Sequence, residues 1–194
     1  MLGLLNTLSE QEKALFLTKK LEKGDVLFRE NERCEYVGMV AEGSLKIVSY
    51  LPDGKEIIYN EPKEGSLFGN NLIFSSEPCY KGDIICQNDA LIYLIAKEDL
   101  LFLLRSNPVF LTDYLQAQAD FTKDLNDKIR LLAISGAQER LLYYLNLHKK
   151  KIAYDSVASL ATALFLERET LSRTISRMEQ AKIIRRHGKT IILL

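Results

Sequence analysis

From Pro108 to about Ile134 the chain contains no glycine and no further proline. That uninterrupted run limits the possible folds more than any other feature. Asn107 reads as an N-cap and Pro108 as the first helical residue, where a missing N–H is harmless. The expected helix has roughly 27 residues and a length of about 40 Å at 1.5 Å per residue. Leu111, Leu115, Leu125, Ile129 and Leu132 follow i, i+4, i+7 spacing, with Tyr114 and Phe121 beside them and Gln118 and Thr122 as interruptions. A small domain does not need so long a helix, so part of its face is expected to meet a second copy of the chain. The alternative is packing on the chain's own sheet.

Ahead of this run the texture differs. Ser9-Glu10-Gln11-Glu12 is a capping-box pattern, and residues 9–20 read as a short amphipathic helix. Between Leu21 and Ile95, short apolar runs alternate with glycine turns at Gly24-Asp25, Glu42-Gly43, Pro52-Asp53-Gly54, Glu64-Gly65 and Gly82-Asp83. The strand candidates are Val26–Phe28, Tyr36–Ala41, Ser44–Leu51, Lys55–Tyr59, Asp83–Gln87 and Ala90–Ile95. Many short strands between turns indicate a sandwich or jelly roll.

Beyond the long helix, Ser135-Gly136-Ala137-Gln138 closes one element and offers a Ser/Gln capping box to the next. Ala137–Lys149 reads as a helix, and Asp155-Ser156 caps another at Val157–Leu164. After a turn at Phe165-Leu166, a third helix runs over about Glu167–Gln180. Ile183-Ile184 and Thr190–Leu193 are short strands around a wing made of Arg185-Arg186-His187-Gly188-Lys189. The expected fold class is α+β, in three parts: a β jelly-roll sensor at 1–106, a dimerisation helix at 107–135, and a winged helix-turn-helix at 136–194.

The formal net charge of the 194 residues is zero, but its distribution is uneven. Residues 136–194 carry 11 Lys and Arg against 5 Asp and Glu, which leaves the rest as acidic as this piece is basic. An acidic body joined to a basic end is the electrostatic outline of a regulator with a separate DNA-binding domain. The third helix strengthens this. Arg168, Arg173 and Arg177 recur along it with Glu169, Thr170 and Ser172 between them, and such side chains read base edges and hold phosphates. The competing reading is a solvated face carrying i, i+4 charge pairs such as Glu169 with Arg173.

Three cysteines, Cys34, Cys79 and Cys86, form no CxxC pair, and their odd number argues against a disulfide framework. The apolar start Met1–Leu5 has no basic flank and does not read as a signal peptide. No apolar run is long enough to cross a bilayer, so no membrane partner is expected and the cytoplasm is the expected compartment. No Ser/His/Asp set, metal-ligand cluster or phosphate-binding glycine loop is present. An enzyme is therefore not expected, and no catalytic or metal residue is assigned.

The order of these elements resembles the cyclic AMP receptor protein and fumarate/nitrate regulator (Crp/Fnr) family of bacterial transcription factors. The resemblance is strongest at Arg168-Glu169-Thr170-x-x-Arg173 with His187-Gly188-Lys189-Thr190-Ile191. It is good at Glu42-Gly43-Ser44-Leu45-Lys46, Asp53-Gly54-Lys55-Glu56 and Gly65-Ser66-Leu67-Phe68-Gly69. It implies a homodimer on palindromic double-stranded DNA with TGTGA-like half-sites, and it keeps RNA polymerase open as a further partner. Arg168, Glu169 and Arg173 are then expected in the major groove, where Arg suits guanine O6 and N7 and Glu accepts from cytosine N4. Thr170, Ser172, Arg177, His187 and Lys189 are expected near phosphates or in helix packing. The half-sites would lie about 34 Å apart. Glu167 stands where the family usually has a small capping hydroxyl, although a carboxylate can also cap.

The sensor departs from the family's nucleotide binders. They carry a Gly-Glu-Leu segment and then Arg-Ser/Thr-Ala. Here the matching stretches are Gly69-Asn70-Asn71-Leu72 and Pro78-Cys79-Tyr80-Lys81-Gly82, so both the Glu and the Arg are missing. Lys81 supplies a point charge but not a bidentate fork. On the long helix an ungapped reading puts Leu125-Asn126 where such binders present Thr-Ser. Cyclic AMP is therefore not the expected effector. No cysteine cluster precedes Cys34 to hold iron–sulfur, and both histidines, His148 and His187, lie outside the sensor, so no cofactor is expected.

Two readings of the sensor stay open. One is an unidentified, anionic small-molecule effector near Asn70, Asn71, Tyr80, Lys81, Phe121 and Leu125, with Gly69, Leu72, Cys79 and Asn126 at its margins. The other is a pocket filled by the chain's own side chains. Cys79 and Cys86 could respond to oxidant, or could serve as small buried apolar residues. In the favoured reading, a sensor signal passes through a Ser135-Gly136 hinge to two Arg168/Arg173 helices. The alternative function is a cyclic-nucleotide-like module that regulates a partner protein.

Overall fold

The computed structural model describes residue 5 and residues 7–194. Most of the apolar start read over Met1–Leu5 therefore lies outside the described residues. The chain divides into two compact units, Met1–Asp120 and Phe121–Leu194.

The first unit opens with α1 (Glu10–Lys13), β1 (Leu17–Leu21), β2 (Val26–Phe28), β3 (Tyr36–Tyr50), β4 (Glu56–Asn60), β5 (Leu67–Phe68) and β6 (Asp83–Ala96). Helices α2 (Lys97–Ser106) and α3 (Pro108–Ala133) follow, the latter ending in the second unit. The spine of the sheet is the antiparallel pair β3–β6, in register from Tyr36↔Ala96 to Val48↔Asp83. The expected breaks at Glu42-Gly43 and after Gln87 are bulges inside these long strands, where the register shifts between Val40 and Leu45. Asn88 repairs the interruption: its Oδ1 accepts from the Ser44 N at 2.6 Å and the Ser44 Oγ at 3.0 Å. Each half of a bent strand then takes a different second neighbour. β3 pairs with β5 and then β4, and β6 pairs with β2 and then β1.

The helix expected over residues 9–20 stops at Lys13. Its capping box forms, with the Ser9 N donating to Glu12 Oε2 at 2.8 Å and the Glu12 N to Ser9 Oγ at 3.3 Å. Leu17–Leu21 instead pairs with Ala90–Leu94 of β6. Tertiary pairing overrides a weak local helix preference here. The core gathers Val40, Leu45, Phe68, Ile73, Tyr80, Ile84, Ile92, Leu100 and Leu103, together with Phe110 and Tyr114 from the start of α3. Asn107 caps that helix as expected, accepting from the Phe110 N at 3.0 Å.

The second unit contains the last turns of α3, then α4 (Ala137–Leu147), β7 (Lys151–Ala153), α5 (Val157–Ala163), α6 (Arg168–Gln180), β8 (Ile184–His187) and β9 (Thr190–Leu193). The three helices and the final hairpin follow the order read from the sequence, with β7 as an unforeseen addition to a sheet ordered β7-β9-β8. Ser135 does not cap α4. Gly136 holds the N-cap position with no side-chain hydrogen bond, and the helix ends at Leu147 rather than Lys149. Ser156 does cap α5, in a reciprocal box with Ser159. Leu131, Leu141, Leu145, Leu160, Leu171, Ile175, Met178, Ile184 and Ile191 form this unit's core.

The turn before α6 holds Phe165 at φ +52°. A bulky side chain in that left-handed region costs about 1–2 kcal/mol. Glycine would remove the strain but adds freedom to the unfolded chain, which offsets roughly half of the gain. Substitution also removes the ring, which is 41% exposed, so the strain is read from the difference between two variants that both lack it. Phe165→Gly is expected to be more stable than Phe165→Ala by about 0.5–1 kcal/mol in a denaturant titration. Equal midpoints for the two variants would mean that the turn is not strained.

Candidate nucleic-acid interface and effector pocket

Helix α6 divides into two faces. Leu171, Thr174, Ile175 and Met178 are buried in the second core. Arg168, Glu169, Ser172, Arg173, Ser176 and Arg177 are all exposed. The exposed set recurs at i, i+1, i+4, i+5, i+8 and i+9, which makes one continuous stripe along a 3.6-residue helix. Thr170 is half-buried at its margin. Thr174 belongs to the packed face because its hydroxyl donates to the Thr170 carbonyl at 2.8 Å.

Spacing permits an ion pair between Glu169 and Arg173. Among the described residues the ion pairs within 4 Å do not include one between them. Among the described residues no ion pair within 4 Å engages Arg168, Arg173 or Arg177. Glu167 occupies the N-cap position but makes no side-chain hydrogen bond there, so the expected carboxylate cap does not form.

The wing is a hairpin in which β8 pairs with β9 from Ile184↔Leu193 to His187↔Thr190. Gly188 turns it at φ +55°. His187 and Lys189 are exposed on either side of the turn. The Lys189 carbonyl accepts from the Tyr154 N at 3.0 Å, which anchors the base of the wing. The strand also exposes Arg185 and Arg186, which the site assignment from sequence omitted. Arg186 lies 3.6 Å from Glu179 Oε2, so it is partly neutralised, whereas Arg185 adds a cation to the wing. The doublet in the sequence was the signal for both.

The expected effector residues differ in burial and in their partners. Gly69 is buried at φ +74°, and a Cβ there would sit 2.7 Å from the Tyr36 carbonyl, so only glycine fits. Tyr80 is part of the core: its ring stacks on Phe28 at 4.5 Å between centroids, and its hydroxyl donates to the Tyr36 carbonyl at 3.1 Å. Burial pushes its ionisation well above the usual tyrosine range. Asn70 is 3% exposed and already paired. Its Nδ2 donates to Gln118 Oε1 at 2.7 Å, while the Gln118 Nε2 returns a bond to the Asn70 carbonyl at 2.6 Å. The Tyr114 hydroxyl also donates to that carbonyl at 3.3 Å.

Leu72 and Cys79 are half-buried, and Asn71 and Lys81 are exposed. Phe121, Leu125 and Asn126 belong to the second unit, with Phe121 half-buried and the other two exposed. A small apolar cavity of about 20 Å³ lies elsewhere in the first unit, against Phe16, Met39, Leu67, Leu100 and Phe110. None of the expected effector residues lines it.

All three cysteines are free thiols. Burial raises the Cys34 and Cys86 thiols above their ordinary value, which keeps them protonated and weakly nucleophilic. The described residues include no group of three or more His, Cys, Asp or Glu able to hold a metal ion. No described helix is long and apolar enough to cross a membrane.

The long helix uses two faces. Phe110, Tyr114 and Ala117 are buried at i, i+4, i+7 spacing. Leu115, Leu125, Ile129 and Leu132 from the expected stripe stay exposed, each by 47% or more, while Leu111 is half-buried.

Comparison with known proteins places this geometry among relatives. Residues 18–107 match the cyclic nucleotide-binding domain family. The chain is 27% identical to the probable transcriptional regulator flp of Lacticaseibacillus casei over 188 residues, 93% of this chain and 84% of that protein. It is 24% identical to the anaerobic regulatory protein of Bacillus subtilis (strain 168) over 123 residues, which are 63% of this chain and only about half (52%) of that relative. Among solved structures, a CooA mutant from Carboxydothermus hydrogenoformans superposes with a TM-score of 0.74 at 19% identity, covering 99% of this chain and 90% of that one.

The buried phenol of Tyr114 carries a pH prediction. Burial pushes it up to about 12, opposed by the Gln118 hydrogen bond. An unfolded tyrosine ionises near 10. The folded state thus keeps its proton longer, and the resulting stabilisation is complete below about pH 10 and lost between about 10 and 12. Denaturant titrations at about pH 9 and 11.5 should show Tyr114→Phe losing less stability with alkali than the parent chain. Equal losses would count against a buried, proton-holding phenol.

Proposed function

We propose that the chain is a homodimeric, sequence-specific DNA-binding regulator of the Crp/Fnr type that does not respond to cyclic AMP; its match to the cyclic nucleotide-binding domain family over residues 18–107 and its likeness to two regulatory proteins support this reading. The carrying observation is the exposed stripe Arg168, Glu169, Ser172, Arg173 and Arg177 on a helix whose opposite face is buried. Arg168, Glu169 and Arg173 read base edges of a TGTGA-like half-site. Thr170, Ser172, Arg177, His187 and Lys189 position the helix and wing on the phosphates. Leu115, Leu125, Ile129 and Leu132 supply an apolar seam for the second copy, since an exposed apolar stripe of this kind favours association.

In this reading residues 1–106 are the sensing part, 107–135 the dimerisation helix and 136–194 the DNA-binding part. The cytoplasm is the working compartment, and RNA polymerase is the expected second macromolecular partner. The sensor supports a role without cyclic AMP. The Asn70 amide is committed to Gln118 and the Tyr80 hydroxyl to the Tyr36 carbonyl. Neither stretch supplies the Glu and Arg that the nucleotide binders of the family use. Calorimetry with cyclic AMP and cyclic GMP is expected to show no binding heat; saturable binding would favour a nucleotide-responsive module.

Mobility shifts on TGTGA palindromes against scrambled duplexes test the proposal directly. Preference for the palindrome at moderate salt is expected, and its absence would reject the reading. Arg173→Ala should cost about 1–3 kcal/mol and relax discrimination at one base position. Lys189→Ala should weaken all duplexes alike and lower the salt slope by about 1.

A further inference from the structure

We propose that Arg140 is a positioning residue, whose guanidinium ties the end of α3 to the turn that launches α6. Only its consequence for DNA rests on the reading above. Arg140 sits half-buried in the first turn of α4. Its Nε and Nη2 donate to the Ile134 carbonyl at 2.9 and 2.6 Å. Its Nη1 donates to the Leu164 carbonyl at 3.2 Å and the Phe165 carbonyl at 2.7 Å. All these residues lie within the second unit.

The chemistry suits a guanidinium and little else. The last carbonyls of a helix lack intrahelical donors. Ile134 follows the end of α3, and Leu164 and Phe165 follow the end of α5. One planar fork with five donors serves both helix ends at once, and its positive charge is favourable at both dipoles. A lysine, as a single point charge, cannot span the two sites. The Phe165 carbonyl belongs to the strained left-handed residue two positions before Glu167, the N-cap of α6. The clamp therefore holds the part of the turn most prone to relax.

A second tie joins the same helices. The Tyr143 hydroxyl donates to Asp127 Oδ1 of α3 at 3.1 Å. Between the ties lies the Ser135-Gly136 link, expected from sequence to be a hinge. Gly136 has φ −86° and ψ 135°, which any residue adopts. The atoms nearest to a Cβ there belong to the flexible end of the Glu139 side chain. The conformation of the link therefore does not require glycine, and the two ties on either side of it hold α3 to α4. The last turns of α3, α4 and the α5–α6 turn move together, and Arg140 fixes the station of the reading helix within that group.

Hydrogen exchange on the full chain tests the clamp without DNA. In Arg140→Lys and Arg140→Gln, amides at Ile134, Phe165 and Leu166 should exchange about tenfold faster, while the β7–β9 pairing stays within about twofold. Unchanged exchange at Phe165 and Leu166, or an equal rise across the whole unit, overturns the proposal. The DNA consequence is read on a palindrome selected from random duplexes and on its single half-site. Arg140→Lys should reduce the advantage of the palindrome about tenfold and leave half-site affinity within about twofold. Equal loss on both would instead mark Arg140 as a phosphate contact or a plain fold residue, and would overturn positioning. If the parent chain prefers no sequence at all, the DNA reading fails, and the exchange result alone decides the clamp.

Discussion

Backbone polar groups that leave regular pairing must still find partners, and this requirement organises the molecule. Asn88 takes over at the bulge of the β3–β6 spine. Asn107 takes over where α3 begins. Gln118 and Tyr114 take over at the Asn70 carbonyl, and Arg140 serves two helix ends together. Among the described residues no buried side-chain nitrogen or oxygen lacks a partner. Asn70, Tyr80 and Gln118 are thereby committed inside the first unit. On α6 and the hairpin after it, Arg168, Arg173, Arg177, Arg185 and Lys189 are exposed.

That division separates two kinds of chemistry. In the first unit Asn70 and Tyr80 resemble ligand groups by residue type but act as structural ones. In the second unit Arg168, Arg173 and Arg177 lie outside the packed face and outside the ion pairs found among the described residues. The exposed arginines of α6 thus contrast with the Asn70 and Gln118 amides, which bond to each other.

Much of this was legible in the sequence, for identifiable reasons. The Pro108–Ala133 helix was visible because Asn-Pro opens it and neither glycine nor proline interrupts it. The faces of α6 were visible because charge and apolarity alternate at helical spacing. Glycine turns marked where β3 and β6 bend, but could not show that each is one strand, because a bulge and a turn use the same residues. The strand nature of Leu17–Leu21 was hidden, since it pairs with Ala90–Leu94 of β6, far away in the sequence. β7 and β5 were too short to leave a pattern. Arg140 looked like an ordinary first-turn helix residue, because its three carbonyl partners are backbone atoms and carry no sequence signal. The internal partners of Asn70 and Tyr80 were hidden for the opposite reason: residue type alone does not reveal that an amide or phenol is already engaged.

The wet side of α3 has a further meaning. Leu115, Leu125, Ile129 and Leu132 leave a row of aliphatic carbons in contact with water. In the proposed dimer a second copy covers that row, and dilution then becomes a thermodynamic variable for the native state. The resistance of such a dimer to heat or denaturant would be set partly by how many copies share the solution.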